Sequence, residues 1–206
     1  MHAIEWAEFS LRPSVTPTEL VAAAVAMQRQ FLDNQRGYVS RQLLAIGPDR
    51  YADLVTWRTR DAADAAIARA AEYAACRNYF ALLYVDKQPV HGIPLFAHGT
   101  AAAAPSGMEF SLFRLRPGVD ETGLAKAARE MAAELYAGEP GFETHLIMRS
   151  ADDPHLFADV ILADSAERAR ALCGKWGEGP FHPACTEYLQ LIEPEFVRLQ
   201  FWQQVA

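Results

Sequence analysis

The sequence has 206 residues, 51% of them hydrophobic, and a formal net charge of −7. This length suits one large domain or two small ones, and the acidic charge argues against nucleic acid or an anionic membrane as the main partner, since both require clustered Lys and Arg. No run of about 18 apolar residues is present, so we expect no membrane-spanning segment.

The first half of the chain is predicted to fold as strand, helix, strand, strand, helix, strand. Residues 4–11 are rich in apolar and aromatic side chains, as strands are. Thr16, Pro17 and Glu19 then supply an N-cap, a first-turn proline and a capping box for a helix that ends at Gly37. The remaining predicted elements are strands at 38–46 and 51–57, a helix at 62–73, a second helical segment at 76–85 and an interrupted strand at 90–98.

The second half repeats this order of elements after a linker-like stretch of small residues at 100–107. We predict strands at 108–115, 142–149, 156–162 and 195–205, and helices at 120–137, from Ser165 to near Gly174, and at 183–192. Residues 176–182 have no counterpart in the first half, and we expect them to form a loop over the sheet.

The two halves carry matching residues in the same order, which indicates a diverged tandem duplication. The matches are Leu11-Arg12-Pro13 with Leu115-Arg116-Pro117, Gly37-Tyr38 with Gly141-Phe142, Tyr51–Val55 with Phe157–Ile161, and Cys76-x-x-Tyr79 with Cys185-x-x-Tyr188. A βαββαβ module forms a four-stranded antiparallel sheet with both helices on one face. We therefore predict an α+β protein of two ferredoxin-like repeats, 1–99 and 108–206, whose sheets pack together as an intramolecular dimeric α+β barrel.

Two segments of the chain resemble a known family. Residues 51–62 are similar to the third strand and following helix of the antibiotic biosynthesis monooxygenase-like (ABM) group, which belongs to the dimeric α+β barrel superfamily. Residues 188–197 resemble the junction between the last helix and the last strand of that group, and residues 79–83 occupy the matching place in the first half. The resemblance implies the barrel fold and small-ligand cavities between sheet and helices. Members include cofactor-free monooxygenases of aromatic polyketides and haem-degrading enzymes, and no single catalytic motif unites them.

Three residues are candidates for catalysis. Asp53 and Asp159 each interrupt an apolar strand at the same place in their half, and burial raises the pKa of a carboxyl group toward the range of a general base. The alternative is a structural carboxylate that pairs across the sheet with Arg41 or His145. His145 takes the place of Arg41 in the second half and is a candidate general base or haem ligand. Alternatively, it is a half-buried histidine bonded to an acid.

Five further residues are candidates for binding a ligand: Trp57, Arg41, Trp176, Phe181 and His182. The aromatic members could line an apolar pocket, although ordinary core packing is the alternative. No phosphate-binding glycine pattern, nucleophile elbow, HExxH motif or two-histidine-one-carboxylate spacing is present, so we expect no metal and no bound cofactor.

The three cysteines, Cys76, Cys173 and Cys185, are scattered without a CxxC spacing. Such a set is typical of reduced thiols in a cytoplasmic protein. The first twelve residues also lack the apolar segment of a secretion signal. We therefore expect a cytoplasmic location, with thiols that are either reactive or buried and inert.

The resemblance to the ABM group implies a cofactor-independent, monooxygenase-like enzyme that acts on or binds a small aromatic or apolar molecule. The alternatives are a non-enzymatic α+β barrel with a binding or structural role, and a haem-binding or haem-degrading protein. Because His145 stands where the first half has Arg41, the second half is expected to hold the working pocket. A covered sheet needs no second copy, so we expect a monomer (an internal pseudo-dimer) or a homodimer.

Overall fold

The structure, a computed structural model, describes residues 2–99, 105–177, 181–193 and 197–206. The chain forms two compact units, the first made of Met1–Ile93 with Gln204–Ala206 and the second of Pro94–Gln203. Both units combine helices with strands whose described pairings are antiparallel, which confirms the predicted mixed class. None of the helices in the described ranges combines the length and the apolarity that a membrane span requires.

The first unit opens with β1 (Ala3–Leu11) and α1 (Pro17–Gln30), and the predicted capping box joins them. The hydroxyl of Thr16 accepts a hydrogen bond from the N–H of Glu19 at 3.2 Å, and the Glu19 carboxylate accepts one from the N–H of Thr16 at 2.8 Å. The next elements are β2 (Tyr38–Ile46), β3 (Arg50–Trp57), α2 (Arg60–Ala70), α3 (Ala74–Phe80), β4 (Leu83–Tyr84) and β5 (Val90–Gly99).

The sheet of the first unit is built around β3 and β1. β3 pairs with β2 on one side and with β1 on the other, and β4 and residues 90–92 of β5 pair along the free side of β1. Leu20, Ala24 and Met27 of α1 form its buried stripe, and they share a core with Cys76 and Tyr79 of α3. The helices therefore cover one face of this sheet, as the βαββαβ order predicts.

The second unit contains β6 (Gly107–Arg114), α4 (Glu121–Met131), β7 (Phe142–Ser150), β8 (Leu156–Ala163), α5 (Ala166–Gly177), α6 (Pro183–Leu191) and β9 (Gln200–Gln204). β8 pairs with β6 and β7, and residues 200–203 of β9 pair with the other side of β6. α4 runs directly into a π-helical turn, Ala132–Tyr136. The hydrophobic core of the second unit includes Leu124 and Met131 of α4, Leu172 of α5 and Tyr188 of α6.

The strand registers of the two units correspond residue by residue. The corresponding rows across three strands are Glu5–Val55–Arg41 in the first sheet and Glu109–Ile161–His145 in the second. Each sheet also has a register shift near the start of its outer strand, at Tyr38/Ser40 and at Phe142/Thr144. Residues at equivalent positions in the sequence therefore occupy equivalent positions in their own sheets.

Several predicted elements differ from the observed ones. The helix predicted to end at Gly37 ends at Gln30 and is followed by a short 3₁₀ turn, Leu32–Asn34. The helix predicted at 76–85 ends at Phe80, because the chain turns back toward Arg12, whose main-chain N–H and Nε donate to the carbonyls of Leu82 and Leu83. The helix predicted to end near Gly174 continues to Gly177, so part of the predicted 176–182 loop is helical. The last strand begins at Gln200 rather than at 195.

Some sequence predictions fall outside the described residues. These are positions 100–104 of the predicted linker, 178–180 of the predicted loop and 194–196 at the predicted start of the last strand. The domain boundaries 1–99 and 108–206 therefore stay predictions.

Candidate functional site

The second sheet carries a row of polar residues on the face that meets its helices. Glu109 of β6 and His145 of β7 lie opposite the same residue of β8, Ile161. Asp159 lies two positions along β8, opposite Ser111. Because side chains alternate between the faces of a strand, these polar groups share one side of the sheet with Ile161.

His145, Asp159 and Tyr188 form a buried hydrogen-bonded triad. His145 Nε2 lies 2.9 Å from Asp159 Oδ1, and the Tyr188 hydroxyl donates to Asp159 Oδ2 at 2.6 Å. None of the three is more than 1% exposed. Burial, followed by the charge of Asp159, raises the pKa of Tyr188 well above its usual value, so this hydroxyl stays a donor. Both oxygens of the Asp159 carboxylate thus have partners.

The second ring nitrogen of His145 has no hydrogen-bond partner. In the neutral imidazole, an ionised Asp159 requires the proton on Nε2, which leaves the lone pair on the unpartnered Nδ1. The ring packs edge-on against Tyr136 at 5.4 Å and against Phe96 at 5.6 Å between centroids. The arrangement is an imidazole oriented by a carboxylate, with a basic nitrogen inside an aromatic environment.

Glu109 is a functional candidate that the sequence reasoning missed. It is fully buried, and neither carboxyl oxygen has a hydrogen-bond partner. Burial raises its pKa well above the usual range and the charge of Asp159 raises it further, while the polar side chain of Ser111, two residues along β6 but outside hydrogen-bonding geometry, lowers it by less. The available signal was the one that identified Asp159, namely an acid within an apolar strand.

Tyr136 also brings a buried polar atom without a partner to this region. It ends the π-helical turn after α4, is fully buried, and its hydroxyl makes no hydrogen bond. Burial raises its pKa well above its usual value, with smaller contributions from Cys173, Asp159 and Glu109. Single π turns inside helices are frequent at functional sites. Unsatisfied atoms of Glu109, Tyr136 and His145 therefore concentrate in one cluster, which we call the acid cluster together with Asp159 and Tyr188.

The cysteines lie in the cores of their units, and their thiols are protonated. Cys76, Cys173 and Cys185 are buried and form no disulfide. Burial raises the pKa of Cys76 and of Cys185 to about 11 and that of Cys173 well above its usual value. Thiols in this state are poor nucleophiles, which favours the inert alternative.

The first unit holds the equivalent triad with a different charge balance. Arg41 Nη2 lies 2.5 Å from Asp53 Oδ1 and donates to the Tyr79 hydroxyl at 3.0 Å, while that hydroxyl donates to Asp53 Oδ2 at 2.9 Å. Burial raises the pKa of Asp53, and the charge of Arg41 opposes that rise. Asp53 is therefore paired across the sheet with the positively charged Arg41, which is the geometry of the structural alternative stated above.

A small cavity of about 60 Å³ adjoins this first triad, and Asp53, Trp57 and Phe31 contribute to its lining. The cavity is far below the several hundred Å³ that ligand sites usually offer. Larger volumes, about 800 Å³ and 610 Å³, lie in open grooves at the starts of α4 and α2. None of these three cavities, which the described residues line, includes His145, Asp159 or Glu109.

Among the remaining sequence candidates, Trp57 lines the small cavity beside Asp53, and Phe181 and His182 lie at the start of α6. Phe181 is 44% exposed, and His182 caps α6 by accepting from the N–H of Ala184 at Nδ1, at 3.3 Å. Trp57 is buried and packs edge-on against Tyr38 at 5.8 Å. The side chain of Trp176 lies outside the described part of the chain. No group of three or more His, Cys, Asp or Glu residues with metal-binding geometry occurs within the described ranges.

Comparison with known proteins identifies the fold. No protein-family model and no curated protein matches the sequence. An anthrone oxidase-like protein matches at TM-score 0.64 and 13% identity, over 100% of this chain and 92% of its own. A ferredoxin-fold protein related to antibiotic biosynthesis monooxygenases, from Listeria monocytogenes 4b F2365, matches at TM-score 0.57 and 10% identity, over 100% and 96%. A mutant chlorite dismutase from Candidatus Nitrospira defluvii matches at TM-score 0.61 and 10% identity, over 100% and 91%.

The chain has the fold of the ABM-like monooxygenases. This confirms the resemblance found in the sequence at the level of the fold. The neighbours include an anthrone oxidase-like protein and a chlorite dismutase, so the fold is shared by proteins of different chemistry. Activity must therefore be argued from the acid cluster itself.

Proposed function

We propose that the protein is a cofactor-independent oxygenase of a small aromatic carbon acid and that the acid cluster of the second unit is its active site. The observation that carries the proposal is the free Nδ1 of His145, held in an aromatic environment while Asp159 orients the ring through Nε2. The anthrone oxidase-like neighbour supports the choice of substrate class.

The proposed chemistry balances without metal or flavin. His145 Nδ1 removes a proton from an activated CH₂ group beside an aromatic carbonyl, and the resulting carbanion transfers one electron to O₂. The two radicals combine, and the C–O–O⁻ group takes a proton back from the imidazolium of His145. Loss of water then leaves C=O where CH₂ stood, so that CH₂ and O₂ become C=O and H₂O. Asp159 stabilises the imidazolium during the step, as carboxylates do in acid–base dyads.

The site is proposed in the second unit because only there is the buried acid matched with a titratable base. Arg41 of the first unit is permanently charged and cannot accept a proton. We further propose that the two halves are tandem ferredoxin-like repeats, which the matching strand registers support. In this view duplication kept the carboxylate and the tyrosine, and a change from arginine to histidine supplied the base.

Oxygen uptake with anthrone tests the proposal directly. We expect the wild-type protein to consume O₂ and form anthraquinone, and we expect His145→Gln and Asp159→Asn to reduce the rate by about 10²–10⁴-fold, the usual contribution of a positioned base. The matched control is Asp53→Asn, the equivalent change in the first unit, which should keep the rate within about threefold of wild type. Equal rates in all four proteins would remove His145 from the reaction.

A non-enzymatic role is the second candidate, and one observation favours it. Both triads are almost completely buried, and the cavity beside the first is only about 60 Å³. A protein of this kind would show no oxygen uptake with anthrone or hydroquinones, and its unfolding temperature would not change with these compounds. Haem is the minor alternative, and an absorption titration with hemin separates it from both.

We also propose a cytoplasmic protein that is a monomer or a homodimer. The buried thiols without disulfides support a reducing environment. Light scattering at several concentrations determines the oligomeric state.

A further inference from the structure

Glu109 has a position in the sheet that no other acid of the second unit shares. Glu109 and His145 flank Ile161 on the two neighbouring strands. Since adjacent strands lie about 4.8 Å apart, the two Cα atoms are separated by roughly 10 Å across the sheet. Both side chains rise on the face that also carries the buried side chain of Ile161, so a ligand held between them would lie above Ile161, on the side of the sheet that the helices cover.

The two carboxyl groups of the acid cluster differ in their partners. Asp159 is bound at Oδ1 by His145 and at Oδ2 by Tyr188, whereas neither oxygen of Glu109 has a partner. A buried carboxylate without a partner is costly, and two neighbouring carboxyl groups cannot both ionise easily. The proton therefore belongs to Glu109, and the rise in the pKa of this residue through burial and the charge of Asp159 agrees with that assignment.

Among the described residues, no cation bonds the carboxyl group of Glu109, and the exposed Arg170 of α5 lies over the ring of Phe201, the β9 residue opposite Glu109, at 4.3 Å. In the described residues, the titratable neighbours whose contacts or charges reach this region are Asp159, His145, Tyr136, Tyr188, Cys173 and Cys185. Apart from His145, which already bonds Asp159, all of these groups are neutral or negative. An anionic ligand would meet Asp159 without a counter-ion.

We propose that Glu109 is the neutral hydrogen-bond donor of the acid cluster, which binds uncharged aromatic ligands through an acceptor oxygen and rejects anionic ones. The inference rests on the proposed function for its location, and it adds a ligand class and a residue role. A carboxylic acid offers one O–H donor. During the proposed reaction this donor faces the carbonyl oxygen that gains negative charge when His145 removes the proton, and such a bond strengthens in the transition state.

Glu5 is the natural control for Glu109. It occupies the equivalent position in the first sheet, opposite Val55. Its side chain is 20% exposed and lies 3.8 Å from His91 Nε2. A change at Glu5 therefore removes an acid at the same place in the fold without altering the acid cluster.

The first test does not depend on activity. The infrared difference spectrum between wild type and Glu109→Gln at pH 7 should show the C=O band of a protonated carboxyl in the wild type. The difference spectrum between wild type and Glu5→Gln should not show that band, because both proteins keep the protonated carboxyl group of Glu109. Absence of the band from the wild type, or its loss in Glu5→Gln, overturns the assignment of the proton to Glu109.

The second test measures ligand selection by titration with 1-naphthol and with 1-naphthoate. We expect 1-naphthol to bind at least about tenfold more tightly, and we expect Glu109→Leu to weaken its binding about tenfold, the effect of one hydrogen bond. Glu109→Gln keeps a donor and should lose less than about threefold. Equal binding of the two ligands, no binding of 1-naphthol, or an equal loss in both variants overturns the proposal.

The two proposals fail in different ways. Selective binding of 1-naphthol without any oxygen uptake from anthrone removes the oxygenase and keeps the role of Glu109 in binding. Oxygen uptake that depends on His145, with no protonated carboxyl band, keeps the oxygenase and removes Glu109 as the donor.

Discussion

At the scale of single residues, each unit buries an aspartate on its sheet, and the two aspartates have different partners. Each sheet buries an aspartate that accepts from a tyrosine on the helix above it. In the first unit Arg41 supplies a fixed positive charge. In the second, His145 supplies a hydrogen bond to the aspartate, and Glu109 adds a second buried carboxyl group. Stability favours the first arrangement, whereas acid–base chemistry requires the second.

The tyrosine contacts predict unequal losses of stability. Tyr188→Phe removes the 2.6 Å donor to Asp159, which keeps its contact with His145. Tyr79→Phe removes the 2.9 Å donor to Asp53 and the acceptor of Arg41 Nη2, but it leaves Asp53 beside the positive charge of Arg41. Hydrogen bonds to charged groups contribute about 1.5–3 kcal/mol, so Tyr188→Phe should lower the free energy of unfolding by that amount and Tyr79→Phe by less. Urea unfolding of both variants checks this order. A larger loss for Tyr79→Phe would show that Arg41 does not compensate.

The buried ion pair predicts a coupling between Arg41 and Asp53. Arg41→Leu leaves a buried carboxylate without its positive partner and should lower the free energy of unfolding by about 3–5 kcal/mol. The double variant Arg41→Leu with Asp53→Leu removes both charges and should recover at least half of that loss. A double-mutant cycle by chemical denaturation measures the coupling, and simple additivity of the two changes would contradict it.

At the scale of elements, close approaches of main chain determine where strands and helices meet. Gly107 begins β6 beside the start of α5, where an added Cβ would overlap the main chain of Ser165 and Ala166. Gly174 lies within α5, is exposed, and has open space around the position of a Cβ. The first glycine is required by packing, and the second only loosens a helix.

The same substitution at these two glycines should have opposite effects. Gly107→Ala should lower the free energy of unfolding by about 1–3 kcal/mol through overlap, and Gly174→Ala should raise it by about 0.5–1 kcal/mol through helix propensity. Thermal unfolding of the two variants beside wild type gives the signs. A stable Gly107→Ala protein would mean that α5 can shift away from β6.

At the scale of the whole molecule, stability is linked to pH through Glu109. Because burial raises the pKa of Glu109 above the ordinary value of 4.5, the folded protein holds a proton that the unfolded chain releases above that pH. The stability contributed by this site is fully present below pH 4.5 and declines as pH rises toward the folded-state pKa. The decline is at most about 1.4 kcal/mol per pH unit for one proton.

Glu109→Gln should flatten this dependence on pH. The amide cannot ionise, so the variant does not lose this contribution as pH rises. The difference in the free energy of unfolding, variant minus wild type, should therefore increase by up to about 1.4 kcal/mol for each pH unit between pH 5 and pH 7. Urea unfolding at three pH values measures the difference, with Glu5→Gln as the control that follows wild type. Parallel curves for wild type and Glu109→Gln would show that Glu109 is ionised in the folded state.

Local patterns in the sequence determined the elements and part of the candidate site. The capping box at Thr16, the glycine and proline boundaries and the strand composition are short-range properties, so the order of strands and helices followed from them. Asp53 and Asp159 stood out because an acid within an apolar strand needs a partner, and the contacts with Arg41 and His145 are now visible. The fold itself was indicated by the resemblance to the ABM group.

Only the tertiary structure decided which groups meet and which remain unsatisfied. Tyr188 reaches Asp159 from 29 residues away, and beyond the end of α3 at Phe80 the carbonyl of Leu83 accepts from Arg12, 71 residues earlier. Glu109 looked like any strand acid until its burial and its lack of partners were known. Periodicity along a chain is a local property, whereas hydrogen-bond satisfaction and desolvation depend on residues that are distant in sequence and adjacent in space. That difference is why the elements could be predicted and the acid cluster could not.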